Sequence, residues 1–237
     1  MYFNSGPPSI RAVRRRNAAG RIIAPSREYH VVYWRHGEGG DPVRKSDHRY
    51  TYGEYCTWDD EERWEIIDGV AWNTSPAPRT EHQWVSGEIF RQFANHLRGA
   101  PCKVFAAPFD VVLTDRPGQS AEDSPTVVQP DICVICDRSK ITEAGCTGAP
   151  DLVIEILSPS TMRKDLEIKR RLYERHRVRE YWIVDPVNRC VHVYLLDPAN
   201  RYADTPRVCE RTGRRRPEVG STVLQGFALE LDAVFAE

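Results

Sequence analysis

Two acids stand in stretches of the chain that are otherwise apolar. Glu155 lies inside "GAPDLVIEILSPS" (148–160), and Asp131 lies inside "VVQPDICVIC" (127–136). A bare carboxylate in such surroundings is expensive, so each needs a partner. Three partners are chemically open: a shared proton, a cationic side chain, or a divalent metal. Asp151 precedes Glu155 by four residues on the same predicted strand and faces the same way. At ~3.3 Å per residue the two are about 13 Å apart and cannot share one ion. The second acid must come from a neighbouring strand, and Asp131 is the candidate. Paired side by side, the two strands would form a compact acidic pocket. Magnesium suits it, because that ion takes one or two carboxylates plus waters and substrate phosphate oxygens. Zinc would want His or Cys at short spacing, and none is apparent.

A cation arrives on the next element. In "RKDLEIKRRLYERH" (163–176), helical spacing puts Leu166, Lys169, Leu172, Tyr173 and His176 on one face. Among the cations of this helix, Lys169 alone is directed towards the apolar seam. It would meet a carboxylate or a phosphate oxygen there, or else run its stem past Leu166 to water.

The surrounding pattern supplies elements to hold these groups. "TYGEYCTWDDEE" reads as a short helix, and "RWEIIDGVAWN" as two strands across an Asp68-Gly69 turn. "TEHQWVSGEIFRQFANHL" places His82, Val85, Ile89, Phe93 and Leu97 at helical spacing. "CKVFAAPFDVVL", "TVVQPDICVIC" and "PDLVIEIL" read as strands, as do "EYWIVDP" and "CVHVYLLD" beyond the charged helix. The order predicts an α/β fold with a mixed sheet flanked by helices.

Composition narrows the classes. The chain has 237 residues, a net charge of −1 and apolar runs too short to span a bilayer. Residues 1–50 carry ten Lys/Arg and four Asp/Glu, so the remainder is acidic. That argues against coating nucleic acid by charge alone. Residues 1–47, rich in Arg, Gly, Pro and Ser, read as a basic, poorly ordered N-terminal extension. The folded domain then occupies 48–237. No apolar stretch follows Arg14–Arg16, which speaks against an export signal. The seven cysteines have no regular spacing. Cys133 and Cys136 of "CVIC" sit three apart on a strand, point to opposite faces, and read as small core residues rather than ion ligands. Free thiols and the lack of a membrane span give a cytoplasmic expectation.

The segments "TYGEY", "RWEIIDG", "EHQ", "FAAPFDVVL", "VVQPDICVICD", "GAPDLVIEILSPSTMRKDLEIKRRLYERHRVREYWIVDP" and "GSTVLQGFALELDAVF" together resemble the Uma-type endonucleases. This is a large bacterial family within the PD-(D/E)XK nuclease superfamily. The resemblance spans roughly residues 51–235 and implies a restriction-endonuclease-like fold. It also implies an Mg²⁺ ion (Mn²⁺ as substitute) held by Asp131, Glu155 and the carbonyl of Ile156, with Lys169 as the third catalytic residue. The superfamily's strand lysine is replaced here by Leu157, and Lys169 takes its role from the following helix. Glu65 and His82 match family positions and are expected to support the site. Asp151 becomes a turn residue.

The implied activity is endonucleolytic hydrolysis of DNA, with the basic stretch 163–179 facing backbone phosphates and a homodimer for double-strand cutting. Two other readings stay open: a catalytically silent nuclease fold that binds, and a hydrolase of another phosphoester, RNA or a nucleotide. The sequence carries no base-reading motif and so gives no basis for a preferred DNA sequence.

Overall fold

Each apolar strand candidate forms one strand or a pair of strands. In the computed structural model, residues 48–59, 62–73, 79–159, 161–210 and 217–236 are described. All fall within one compact unit. The predicted extension, residues 1–47, lies outside the described residues.

The chain begins with a short helix, α1 (Tyr52–Tyr55), whose Thr51 and Glu54 form a reciprocal capping box. Strands β1 (Trp64–Ile67) and β2 (Val70–Asn73) follow, then α2 (Thr80–His96). The two middle strand candidates each divide. The first gives β3 (Lys103–Ala106) and β4 (Asp110–Val112), and the second gives β5 (Val127–Val128) and β6 (Ile132–Ile135). Next come β7 (Gly145–Thr147), β8 (Leu152–Ile156), a π-helical turn (Lys164–Lys169) continuing into α3 (Arg170–Arg175), β9 (Glu180–Asp185) and β10 (Cys190–Leu195). The described chain ends with β11 (Arg207–Glu210), β12 (Glu218–Gly220), β13 (Ala228–Glu230) and α4 (Leu231–Val234).

These strands form two large mixed sheets. One runs β11-β10-β9-β8-β6-β3, the other β2-β1-β5-β4-β7, and β12 pairs with β13 separately. The division of the middle strands explains the pair. β3 pairs with β6 in the six-stranded sheet, and β4 pairs with β5 in the other. One antiparallel ribbon thus passes from sheet to sheet, bending at Ala107–Phe109 and at Gln129–Asp131. The main-chain N–H of Ala107 donates to the carbonyl of Asp131 across that bend, at 3.0 Å. Corners of this kind let a strand change sheets, and Asp131 stands on one.

The six-stranded sheet is covered on both faces. Val85, Ile89 and Phe93 of α2, with Leu97 at its C-cap, pack with Ile132, Ile154 and Trp182 on one side. Leu172 and Tyr173 of α3 pack with Cys133, Val153 and Tyr181 on the other, where Ile67 of β1 joins them. Every residue of β8 and β9 is buried, which suits strands inside such a layered stack.

Two expectations need correction. Cys133 is a buried free thiol, but Cys136 is bonded to Cys102 in a disulfide. Lys103 of β3 pairs with Ile135 of β6, so the flanking residues Cys102 and Cys136 are brought across from one another. The charged segment is also not one regular α-helix: its first six residues are wound as a π-helix.

Gly145 pairs with Asp110 in the parallel β4–β7 ladder, and a Cβ there would lie 2.2 Å from the carbonyl oxygen of Asp110. Gly145→Ala should therefore lower stability by about 2 kcal/mol through a backbone clash. Urea unfolding measures it, and an unchanged midpoint would contradict the close approach.

Candidate active site

The antiparallel β6–β8 register, Ile132 opposite Ile154, runs on by one residue to set Asp131 opposite Glu155. Facing residues of an antiparallel pair share one side of the sheet. The two acids are therefore neighbours, as side-by-side pairing of their strands requires. The ladder ends at Ile132, and the Asp131 carboxylate replaces the missing backbone partner: Oδ2 accepts the N–H of Ile156 at 2.7 Å. Nε2 of His82, at the start of α2, lies 3.2 Å from the same oxygen. The Ile156 carbonyl points to this side too, where it also acts on His82.

Lys169 lies at the centre. Its Nζ donates to Glu155 Oε1 at 2.8 Å and sits 2.8 Å from Glu65 Oε1. Tyr173, one helical turn on, donates its hydroxyl to the same Glu155 oxygen at 2.7 Å. Glu65 comes from the other large sheet. Its Oε1 accepts the Gln129 N–H at 2.9 Å, and its Oε2 accepts Lys164 Nζ at 2.6 Å. The inward direction expected for Lys169 is the observed one, and the snorkelling alternative is set aside.

Lys164 carries no signal in the sequence pattern, whereas Asp165, four residues before Lys169, shares its face at α-helical spacing. An α-helical count sets Lys164 well away from Lys169, whereas the π-turn, with its i→i+5 winding, stacks residues five apart. Both lysines consequently reach Glu65. The expectation that Lys169 alone turns inward is thus corrected by the helix type. Asp165 is buried beside Lys169, with Oδ1 3.8 Å from Nζ. Glu65 carries the same sequence signal as Glu155, an acid inside an apolar strand ("WEII"). Asp151 lies at the far end of β8, where it accepts the Cys136 N–H at 2.6 Å and pairs with Arg179.

The basic stretch 163–179 is largely engaged. Besides the buried lysines, Arg175 pairs with Asp68, Arg179 with Asp151, and Arg170 lies over the Tyr194 ring. As a patch facing phosphates it is much reduced.

Glu65, Asp131, Glu155 and Asp165 bring four carboxylates to two lysines. Burial pushes Glu155 up to about 8, with Lys169 opposing and the other acids adding. Burial likewise pushes Asp165 up to about 6, against both lysines. Burial would raise Glu65 too, but Lys164 and Lys169 outweigh it and hold that carboxyl at about 2. Burial would lower His82, yet Asp131 carries it above the usual range. Two buried polar atoms, Asp165 Oδ1 and His82 Nδ1, have no hydrogen-bond partner. Within this group Asp131 and His82 keep an opening to solvent, with side chains 22% and 14% exposed.

A second grouping lies outside the predicted site. Cys190 and His192 are two apart on β10, and Asp185 faces Cys190 from β9. The pair "CVH" is a short Cys/His spacing of the kind the sequence reading found absent. Its third member becomes visible only when the hairpin forms.

Residues 51–232 match the Uma2 family, described as "Putative restriction endonuclease". The uncharacterized protein slr1290 of Synechocystis sp. (strain ATCC 27184 / PCC 6803 / Kazusa) is 26% identical over 144 residues, which cover 60% of this chain and 71% of that one. A crystal structure of "a putative nuclease belonging to DUF820" from Anabaena variabilis ATCC 29413 aligns with a TM-score of 0.59 at 21% identity. The alignment covers 78% of this chain and 97% of the Anabaena chain, and it shows that the fold is shared. The chain belongs to the Uma2 family.

The opposed shifts give a pH signature for the cation-free protein. Glu65 contributes stability that is complete above roughly pH 4.5 and is lost as the pH falls towards about 2. Glu155 and Asp165 act in the opposite sense, because their ionisation costs stability as the pH rises through about 6 and then about 8. Denaturation of metal-free protein should show stability falling between roughly pH 5 and 8, and Asp165→Asn should remove the lower part of that fall. A rise across this range would contradict the assignment. Glu65→Gln should cost about 3–5 kcal/mol by leaving two buried ammonium groups short of a partner.

Proposed function

We propose that this member of the Uma2 family is a divalent-cation-dependent endonuclease that hydrolyses DNA phosphodiester bonds, with Mg²⁺ as the resident ion and Mn²⁺ able to replace it. The observation that carries the reading is the charge balance of the buried site. Its four acids face two lysines and one imidazole, His82, and Asp165 Oδ1 and His82 Nδ1 have no hydrogen-bond partner. A divalent cation supplies that missing charge, and an all-oxygen donor set of carboxylates and a carbonyl suits Mg²⁺.

Asp131, Glu155 and the main-chain carbonyl of Ile156 would hold the ion. When bound, it polarises the scissile phosphate and makes a water more acidic. Lys169, anchored by Glu65, keeps its ammonium against Glu155 and offsets negative charge that develops on the phosphate oxygens. Tyr173 fixes the Glu155 carboxylate from the same helix. His82, with Nε2 3.2 Å from Asp131 Oδ2, orients that carboxylate. Substrate would approach at the sheet corner, where Asp131 and His82 are open.

One observation favours a rival. Glu155 and Lys169 are almost wholly buried, as a fold that binds nucleic acid without cutting it would permit. Supercoiled plasmid, single-stranded RNA and a nucleotide, each with Mg²⁺, Mn²⁺ or chelator, separate these readings. Cation-dependent nicking is expected, reduced at least about 100-fold in Asp131→Asn, Glu155→Gln and Lys169→Met. Linear product without accumulation of nicked circles would indicate paired sites in a homodimer. Cleavage equal in wild type and variants would remove the assignment, and nucleic-acid binding without cleavage would support the rival.

A further inference from the structure

The hairpin after α3 carries a second cluster that the proposed cleavage does not use. Asp185 closes β9, Cys190 opens β10 directly opposite, and His192 stands two residues on, on the same face. Their ligand atoms, a carboxylate oxygen, a sulfur and an imidazole nitrogen, all lie within 4.8 Å of one another. Cys190 Sγ is 3.4 Å from His192 Nε2. Asp185 and Cys190 are buried and His192 is half-buried.

We propose that Asp185, Cys190 and His192 form a binding site for a divalent transition metal of zinc's class, with Glu210 of β11 completing the set. Glu210 is registered opposite Cys190 on the other side of β10, so the thiol has a carboxylate residue on each flanking strand. Sulfur, imidazole and carboxylate are the donors that zinc takes, usually four in number. Magnesium and calcium prefer oxygen alone, so this cluster and the acid pocket select different ions. Asp185 is already oriented: its Oδ1 accepts the Asn188 N–H at 2.9 Å and its Oδ2 the Asn188 side-chain amide at 2.6 Å. An ionised carboxylate accepts about four hydrogen bonds, so lone pairs remain for an ion.

The alternative is a simple thiol–imidazole contact. Such a contact gains nothing from a carboxylate residue on each flanking strand, whereas a bound cation would take those acids, the imidazole and the sulfur together as ligands. The site is separate from the acid pocket. Glu155 and His192 flank Ile183 on successive strands, roughly 10 Å apart at the usual strand spacing.

Cobalt(II) is the probe, added to chelator-treated full-length protein in excess Mg²⁺ so that oxygen-only sites are filled. One equivalent should produce a near-ultraviolet sulfur-to-cobalt charge-transfer band together with intense visible d–d bands, and Zn²⁺ should bleach both. Cys190→Ser should abolish the charge-transfer band, and His192→Ala should weaken cobalt binding at least about tenfold. Circular dichroism checks that each variant is folded; should Cys190→Ser not fold, His192→Ala and the wild-type titration decide the matter. The Asp131→Asn/Glu155→Gln double variant should keep the full spectrum, so loss of the nuclease reading leaves this result intact. No charge-transfer band in wild type, an undiminished band in folded Cys190→Ser, or unchanged affinity in His192→Ala overturns the proposal.

Discussion

The site depends on a buried charge imbalance. Lys169 is held between Glu155 and Glu65, and Lys164 reaches Glu65 from the same helix, yet four carboxylates share these two lysines and the one imidazole of His82 beside Asp131. Glu180 provides the contrast within the same molecule. That buried acid accepts from the Trp182 indole, the Ser221 and Thr222 hydroxyls and two main-chain N–H groups. It is satisfied by hydrogen bonds and needs no ion. The acid pocket has fewer donors per oxygen, so its charge must be settled by protons or by a cation. A buried ion network of this kind adds little net stability over an apolar core. Its presence in an otherwise densely apolar sheet therefore points to function.

The architecture serves that imbalance by bringing three separate segments to one corner. The ribbon that leaves one sheet for the other bends at Asp131, and the bend ends the β6–β8 ladder just where Glu155 lies. The free N–H of Ile156 is then taken by Asp131 instead of by a neighbouring strand. The second sheet returns Glu65 to the same space, tied to the ribbon through the Gln129 N–H. Gln129 in turn donates to Asp110 and Tyr55 and accepts from Arg63, which couples the corner to the aromatic cluster around α1. The geometry of the acid corner and the packing of the second sheet are thus one structural fact.

The Asp185–Cys190–His192 grouping follows a different principle. It is almost local, since one hairpin brings all three residues together, and it stands on the same sheet two strands beyond Glu155. A soft donor set and a hard one on a single sheet can hold different ions without competing.

The sequence by itself determined the acids and the face of the lysine. Asp131, Glu155 and Glu65 each interrupt an apolar strand, and that cost is visible without coordinates. Helical spacing placed Lys169 on the apolar face but left open whether it met a carboxylate or ran out to water, and period-2 spacing was enough to set Asp151 aside as a partner of Glu155. Lys164 was hidden because a π-turn shifts the angular phase by which inward residues are counted, and no residue pattern announces that winding; Asp165, four residues before Lys169, was legible from α-helical spacing alone. The Cys102–Cys136 bond and the partnership of Asp185 with Cys190 were hidden because both arise across strands, where separation in sequence says nothing of distance. Only the tertiary structure decided that the strand bearing Asp131 bends out of one sheet and into another. That bend depends on packing between two layers, a property of the assembled chain that no local stretch contains.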